Sequence, residues 1–355
     1  MLELKSVTVS AGNFRLQDID LTLAEGECHA VLGPSGSGKT TLLNTVLGVL
    51  SPERGRIRLD GVDITDVSVE RRGLGYVPQN LGLFPHLSVR DNLAYSPRAR
   101  GLSRTQFQPM VDTLVEATGI GALLDRQTTT LSSGERQRVG LVRALASQPR
   151  LVLLDEPFTA LNESLRRELW WLMRELRQQH GLTVMIVTHD LTEAYFLADN
   201  VSVLLEGRVI QQGEKAAVYG RPVSPAVAHF LGVETLQPGR VMIVKEGLAT
   251  VEVGGAQLLA IAPPGVREHV LVSIRGEDVI LQRGAGEISS ARNRLPARVV
   301  SVQPGSPLMG VELDAGFPLF ALVTRPAYEE MNLRPGDPVT AIIKAPSVHL
   351  IVRTP

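Results

Sequence analysis

Apolar positions along the chain follow two different rhythms. From residue 1 to about 232, short β-branched runs alternate with stretches of helical period. Residues 28–32, 151–154 and 184–187 read as buried strands, while 39–49 and 164–180 read as helices. Such alternation predicts an α/β domain. Beyond about 238 the runs become short and Val-rich, punctuated by Gly and Pro, which predicts an all-β tail. Pro222, Pro225 and Gly232 mark the boundary, dividing the chain into 1–232 and 233–355.

The tail repeats itself. Gly239-Arg240-Val241 answers to Ala297-Arg298-Val299, and Val251-Glu252-Val253 to Val311-Glu312-Leu313. Pro264-Gly265 answers to Pro335-Gly336, and Ile274-Arg275 to Ile343-Lys344. Two copies of a small β module are expected, the second spanning about 290–351.

Composition narrows the function classes. The net charge is −1 with no basic block, so nucleic acid is not an expected partner. The single cysteine, Cys28, forbids an internal disulfide and reads as a buried thiol in a reducing compartment. No apolar run approaches the ~18 residues a membrane span needs. The opening Met1-Leu2-Glu3-Leu4 lacks the pattern of a signal peptide. Any work at a membrane would need other chains to supply the spans.

Gly33-Pro34-Ser35-Gly36-Ser37-Gly38-Lys39-Thr40, with Thr41 following, joins a strand to a helix and fits the phosphate-loop pattern. Glycines let backbone N–H groups turn toward phosphate oxygens, and the helix start adds its positive end. Lys39 is expected on the β- and γ-phosphates, and the Thr40 hydroxyl on Mg²⁺. The strand 151–154 runs into Asp155-Glu156, two carboxylates that need a counter-charge where a strand is buried. Mg²⁺ on a nucleotide would supply it, with Asp155 orienting the metal shell and Glu156 polarising the attacking water. His189 follows a further strand; by itself it fits a γ-phosphate crevice or an ordinary solvated loop. Ser132-x-x-Glu135 reads as a capping box opening a helix through Val139, Val142 and Leu145.

Taken together these residues resemble the ATP-binding subunits of ABC transporters. Leu131-Ser132-Ser133-Gly134-Glu135-Arg136-Gln137 is similar to the family signature, Gln79 to its Q-loop, Thr159-Ala160-Leu161-Asn162 to its D-loop, and His189 to its switch histidine, in the family's order. The resemblance covers 1–232. It implies an ATPase with ATP and Mg²⁺ as cofactors, Gln79 joining Thr40 and Asp155 at the metal, and Glu156 and His189 as catalytic residues. It also implies a homodimer in which Ser132, Ser133, Gly134 and Glu135 of one chain close over ATP held by the other. Two membrane permease subunits would dock near Leu83, Phe84 and Pro85, and a solute-binding protein would act through them. The chain would sit peripherally on the cytoplasmic face of the cell membrane. Glu135 stands where the signature usually has glutamine, and Asn162 where the D-loop usually has aspartate. No adenine-stacking aromatic stands at its usual place, which Ala11 occupies; Phe14 is the substitute.

Residues 290–295 and 344–350 resemble the ends of a molybdate-binding β module, a small barrel of OB type. The fold expected is thus a P-loop ABC-type α/β ATPase domain followed by two small OB-like barrels. Ser290, Arg292, Asn293, Lys344 and Ser347 could bind a doubly charged oxyanion, molybdate or tungstate, if the module's ends meet. Bound oxyanion would then hold a molybdate or tungstate importer inactive. The alternatives are a purely structural tail, and an importer ATPase for sulfate, ferric iron or sugar.

Overall fold

The computed structural model describes residues 1–284 and 289–352, in two compact units, Met1–Lys215 and Ala216–Pro355. The division falls earlier than the proline cluster of the sequence suggests. The reason is packing. In the second unit Arg275 donates to the Tyr219 carbonyl at 2.7 Å, and Ala228 shares a buried cluster with Val233, Leu271 and Ile351. Pro222 lies between helices Lys215–Gly220 and Pro225–Phe230, and Pro225 opens the second of them, so the prolines do not end the domain.

The first unit is built on a six-stranded sheet in the order Arg208–Glu214, Asn200–Leu205, Cys28–Leu32, Thr183–Thr188, Leu151–Asp155, Gly75–Val77. All but the first strand run parallel. Parallel strands are covered on both faces, so Cys28–Leu32 and Leu151–Asp155 are buried at every position and are apolar apart from His29 and the terminal Asp155. A second sheet, antiparallel, orders Phe14–Leu23, Leu2–Ala11, Arg54–Leu59 and Val62–Asp63. Helix Lys39–Leu47 contributes Leu42, Leu43 and Val46 to a core that also holds Leu4, Leu21, Leu151 and Met185. Each aliphatic side chain so buried contributes about 1.5–3 kcal/mol. Cys28 is buried as expected, and burial pushes its thiol up to about 12.

The consequence for function lies at one edge. Four adjacent parallel strands end, at their carboxyl termini, in the glycine loop, His189, Glu156 and the segment of Gln79. That edge is where open α/β sheets hold ligands. Among the described residues no helix is long and apolar enough to cross a membrane.

The second unit holds two five-stranded antiparallel sheets. One orders Ala256–Ile261, Leu248–Val253, Thr235–Lys245, His269–Ile274 and His349–Val352. The other orders Pro318–Thr324, Leu308–Asp314, Asn293–Gln303, Pro338–Ile343 and Ile280–Gln282. The repeat read in the sequence is therefore a repeat of topology, but the copies exchange their last strands. Ile280–Gln282, from the first copy, pairs with Pro338–Ile343 of the second. His349–Val352, from the second, pairs with His269–Ile274 of the first. Both sheets pack on one core that includes Val251, Val272, Val311 and Ile343.

Candidate functional site

The glycine loop takes its shape from local sterics. Gly36 and Gly38 have φ of 82° and 105°, left-handed values open to glycine. A Cβ at Gly38 would stand 2.6 Å from the Phe14 ring, and one at Gly33 2.3 Å from the Leu204 carbonyl oxygen. The Phe14 ring thus lies against the loop. Gly38 caps helix Lys39–Leu47 without any side-chain acceptor, so the first-turn N–H groups suit an anion.

Lys39 is 5% exposed, and its Nζ donates to the Gly33 and Pro34 carbonyls at 2.8 and 3.0 Å. Burial pulls its pKa down, and the Glu156 carboxylate, 3.6 Å away, opposes that shift. The Thr40 hydroxyl donates to Asp155 Oδ1 at 3.3 Å, and the Tyr76 hydroxyl to Oδ2 at 3.4 Å. Burial raises the pKa of Asp155, and the Thr40 bond works against it. Tyr76 is itself pushed up to about 12 by burial and by Asp155, which keeps it a donor. Glu156 has a φ of 43° and donates its N–H to the Val187 carbonyl at 2.9 Å. That left-handed bend carries its carboxylate over the sheet edge. There Oε1 lies 3.6 Å from Lys39 Nζ and 3.3 Å from His189 Nδ1. One carboxylate oxygen thus lies between Lys39 and His189.

Thr40 and Asp155 are hard oxygen donors within one hydrogen bond of each other, the donor chemistry Mg²⁺ selects. Among the described residues no group of three or more His, Cys, Asp or Glu could cage a metal. The fit is therefore to an ion held largely by phosphates and water, as Mg²⁺ usually is. Gln79 is exposed beyond strand Gly75–Val77. With Ser133, Gln137, Thr159 and Ala160 it lines a cavity of about 250 Å³, which brings the Q-loop, signature and D-loop segments together.

The capping box is present in full. Ser132 accepts from the Glu135 N–H at 3.3 Å, and Glu135 accepts from the Ser132 N–H at 2.7 Å. That backbone bond holds the Glu135 carboxyl below its ordinary range. Accepting an N–H is work that glutamine and glutamate share, which accounts for the substitution. Ser132, Ser133 and Gly134 stand at the helix start; a Cβ at Gly134 would press on Leu165 at 2.7 Å. Asn162 caps helix Glu163–His180, its Oδ1 accepting from the Leu165 N–H at 3.0 Å.

Sequence reading missed Tyr76, whose reach to Asp155 depends on pairing between strands distant in sequence. It also missed Arg166, paired with Asp190 at 2.7 Å beside His189. In the tail, Asn293 sits opposite Ile343, so the module's ends do adjoin. Asn293 is nonetheless engaged elsewhere: its Oδ1 accepts from the Leu259 N–H at 2.6 Å and its Nδ2 donates to the Leu259 carbonyl at 2.9 Å. Buried amides take such partners. Ser347 donates to Asp278 at 3.0 Å, whereas Ser290, Arg292 and Lys344 are exposed.

The ABC transporter family model matches residues 16–159, and the TOBE domain model residues 289–350. A molybdate/tungstate import ATP-binding protein of Pyrococcus horikoshii is 39% identical over 353 residues, 99% of each chain. A sulfate/thiosulfate import ATP-binding protein of Thermosynechococcus vestitus is 36% identical over 341 residues, 95% of each. Among solved structures, part of an ABC transporter complex from Clostridium perfringens gives a TM-score of 0.57 at 31% identity, covering 61% of this chain and 90% of that one. A dimeric ATP-binding cassette bound to ADP and Pi gives 0.54 at 28% identity, covering 61% and 99%. With the glycine loop, the paired carboxylates and the capped signature helix all in place, the chain belongs to the ATP-binding subunits of ABC transporters, ATPases that drive transport.

Proposed function

We propose that the chain powers import of molybdate or tungstate. The observation that carries this reading is 39% identity to a molybdate/tungstate import ATP-binding protein, extending over 99% of both chains, tail included. Two copies would dock with permease subunits on the cytoplasmic face of the membrane, each ATP lying between the glycine loop of one copy and residues 132–134 of the other. A surface depression of about 500 Å³ lined by His86, Leu87, Asp91, Tyr95 and Arg98 would receive the permease.

At the site, the loop N–H groups and Lys39 would bind the phosphates, Lys39 exchanging its two carbonyl partners for phosphate oxygens. Thr40, Asp155 and Gln79 would hold Mg²⁺, which neutralises charge on the β- and γ-phosphates. Glu156 would accept a proton from the attacking water, with His189 holding the same carboxylate oxygen that faces Lys39. Binding of two nucleotides favours the closed pair of chains, and hydrolysis removes the bias. In the tail, Ser290, Arg292 and Lys344 would contact a regulatory oxyanion, with Asn293 and Ser347 shaping the site through the bonds they already make.

Proteoliposomes carrying the chain with its membrane subunits are expected to take up molybdate and tungstate ahead of sulfate. Preference for sulfate, in line with the relative of that specificity, would replace the solute. Calorimetric titration of the full chain with molybdate tests the tail; no heat would make it structural.

A further inference from the structure

The helix Ser133–Leu145 carries, far from its capped start, a buried arginine. Arg143 is 8% exposed and, among the described residues, forms no ion pair. Its Nη1 donates to the Gly82 carbonyl at 2.5 Å and its Nη2 to the Leu81 carbonyl at 2.6 Å. Its guanidinium carbon lies 5.6 Å from the centre of the Phe84 ring. A buried cation without a counter-ion is costly, so its partners must be well placed.

They are placed by unusual backbone. Leu81 and Gly82 have φ of 63° and 55°, and two successive left-handed residues aim both carbonyls at one planar fork. For Leu81 that conformation is strained and must be held by its surroundings. The segment is pinned further along. Asn92 accepts from the Phe84 N–H at 2.9 Å and donates to its carbonyl at 3.1 Å; Thr128 donates to the same carbonyl at 3.1 Å. The loop beyond Gln79 is thus fastened to the signature helix at its middle and to neighbouring elements at its end.

We propose that Arg143 is a positioning residue that makes residues 81–84 and the signature helix move as one body. Capture of nucleotide at 132–134 is then delivered as displacement of 83–86, the loop offered to the membrane partner. The inference rests on cross-chain nucleotide capture as set out under the proposed function. Lysine cannot replace the fork, because a single ammonium lacks its fixed pair of parallel donors.

Hydrogen exchange on the full chain tests this, with Glu156→Gln to retain ATP. Three proteins are compared with and without Mg²⁺-ATP: the parent, Arg143→Lys and Arg143→Met. In the parent, amides in 132–137 and in 80–88 should both gain protection with ATP. In both Arg143 variants 132–137 should still respond, which also reports a folded, nucleotide-competent chain. Exchange in 80–88 should instead rise by at least about tenfold and lose its dependence on ATP. If 80–88 follows nucleotide unchanged in both variants, Arg143 transmits nothing. Silence at 132–137 in the parent itself would remove cross-chain capture, and the relay with it.

Discussion

Glu193 is a buried acid that should make this ATPase lose stability as pH rises. It lies on helix Leu191–Leu197, is 2% exposed, and its Oε1 has no hydrogen-bond partner among the described residues. Burial, then the Asp190 carboxylate, pushes its pKa from 4.5 up to about 8, with the Thr188 hydroxyl and Arg166 opposing and Glu156 adding to the rise. A carboxyl raised in the fold favours the protonated native state. Its contribution is full below about pH 4.5, falls as pH climbs, and is gone above about pH 8. Linkage puts the loss at about 1 kcal/mol at pH 5, about 3 kcal/mol at pH 7 and about 5 kcal/mol at pH 9. Glu193→Gln keeps the shape without the charge, so its advantage over the parent should grow across that range. Urea unfolding of both proteins at the three pH values measures it. Asp190 donates its N–H to Thr188 at 3.0 Å, and these residues flank His189. A charged Glu193 would repel Asp190 and loosen that segment, so ATPase activity should fall above about pH 8 in the parent but not in the variant. A stability difference that stays constant from pH 5 to pH 9 would show that Glu193 is not held protonated.

Glu156→Gln should reduce turnover by at least about a hundredfold while Mg²⁺-ATP affinity, read with a fluorescent analogue, holds; unchanged turnover would exclude Glu156 as the base. Gly38→Ala should abolish nucleotide binding and destabilise the chain by more than about 1 kcal/mol, because φ of 105° excludes a Cβ and Phe14 occupies its place. Tight binding by that variant would show the loop to be more compliant than its geometry. Asn162→Ala should cost about 1 kcal/mol of stability through the lost cap, and Asn162→Asp should keep the cap and gain about 0.3–1 kcal/mol from the helix dipole. Thermal melts check both, and an aspartate variant no better than alanine would refute the capping role.

What the sequence made legible was local. A strand, a glycine turn and a helix start within a few residues of each other, so the phosphate loop could be read in full. The capping box at Ser132 and Glu135 was legible for the same reason. Tyr76 was not, since its partner Asp155 reaches it only through the pairing of Tyr76 with Leu153 across two strands. Arg143 left a trace, a lone cation between Val142 and Ala144 in an apolar run, but the carbonyls that satisfy it belong to a distant loop. Glu193 sat in a helix where an exposed acid would look the same. Internal similarity in the tail showed two copies; strand exchange is a property of pairing and leaves no mark in composition or period.

That exchange has a consequence for how the tail can be altered. A terminal deletion that removes 349–352 would strip the edge from His269–Ile274, a strand encoded some eighty residues upstream in the other copy. Loss of 280–282 would likewise strip one edge from Pro338–Ile343. Neither copy is a detachable cassette, and damage to either end should melt both in a single calorimetric step.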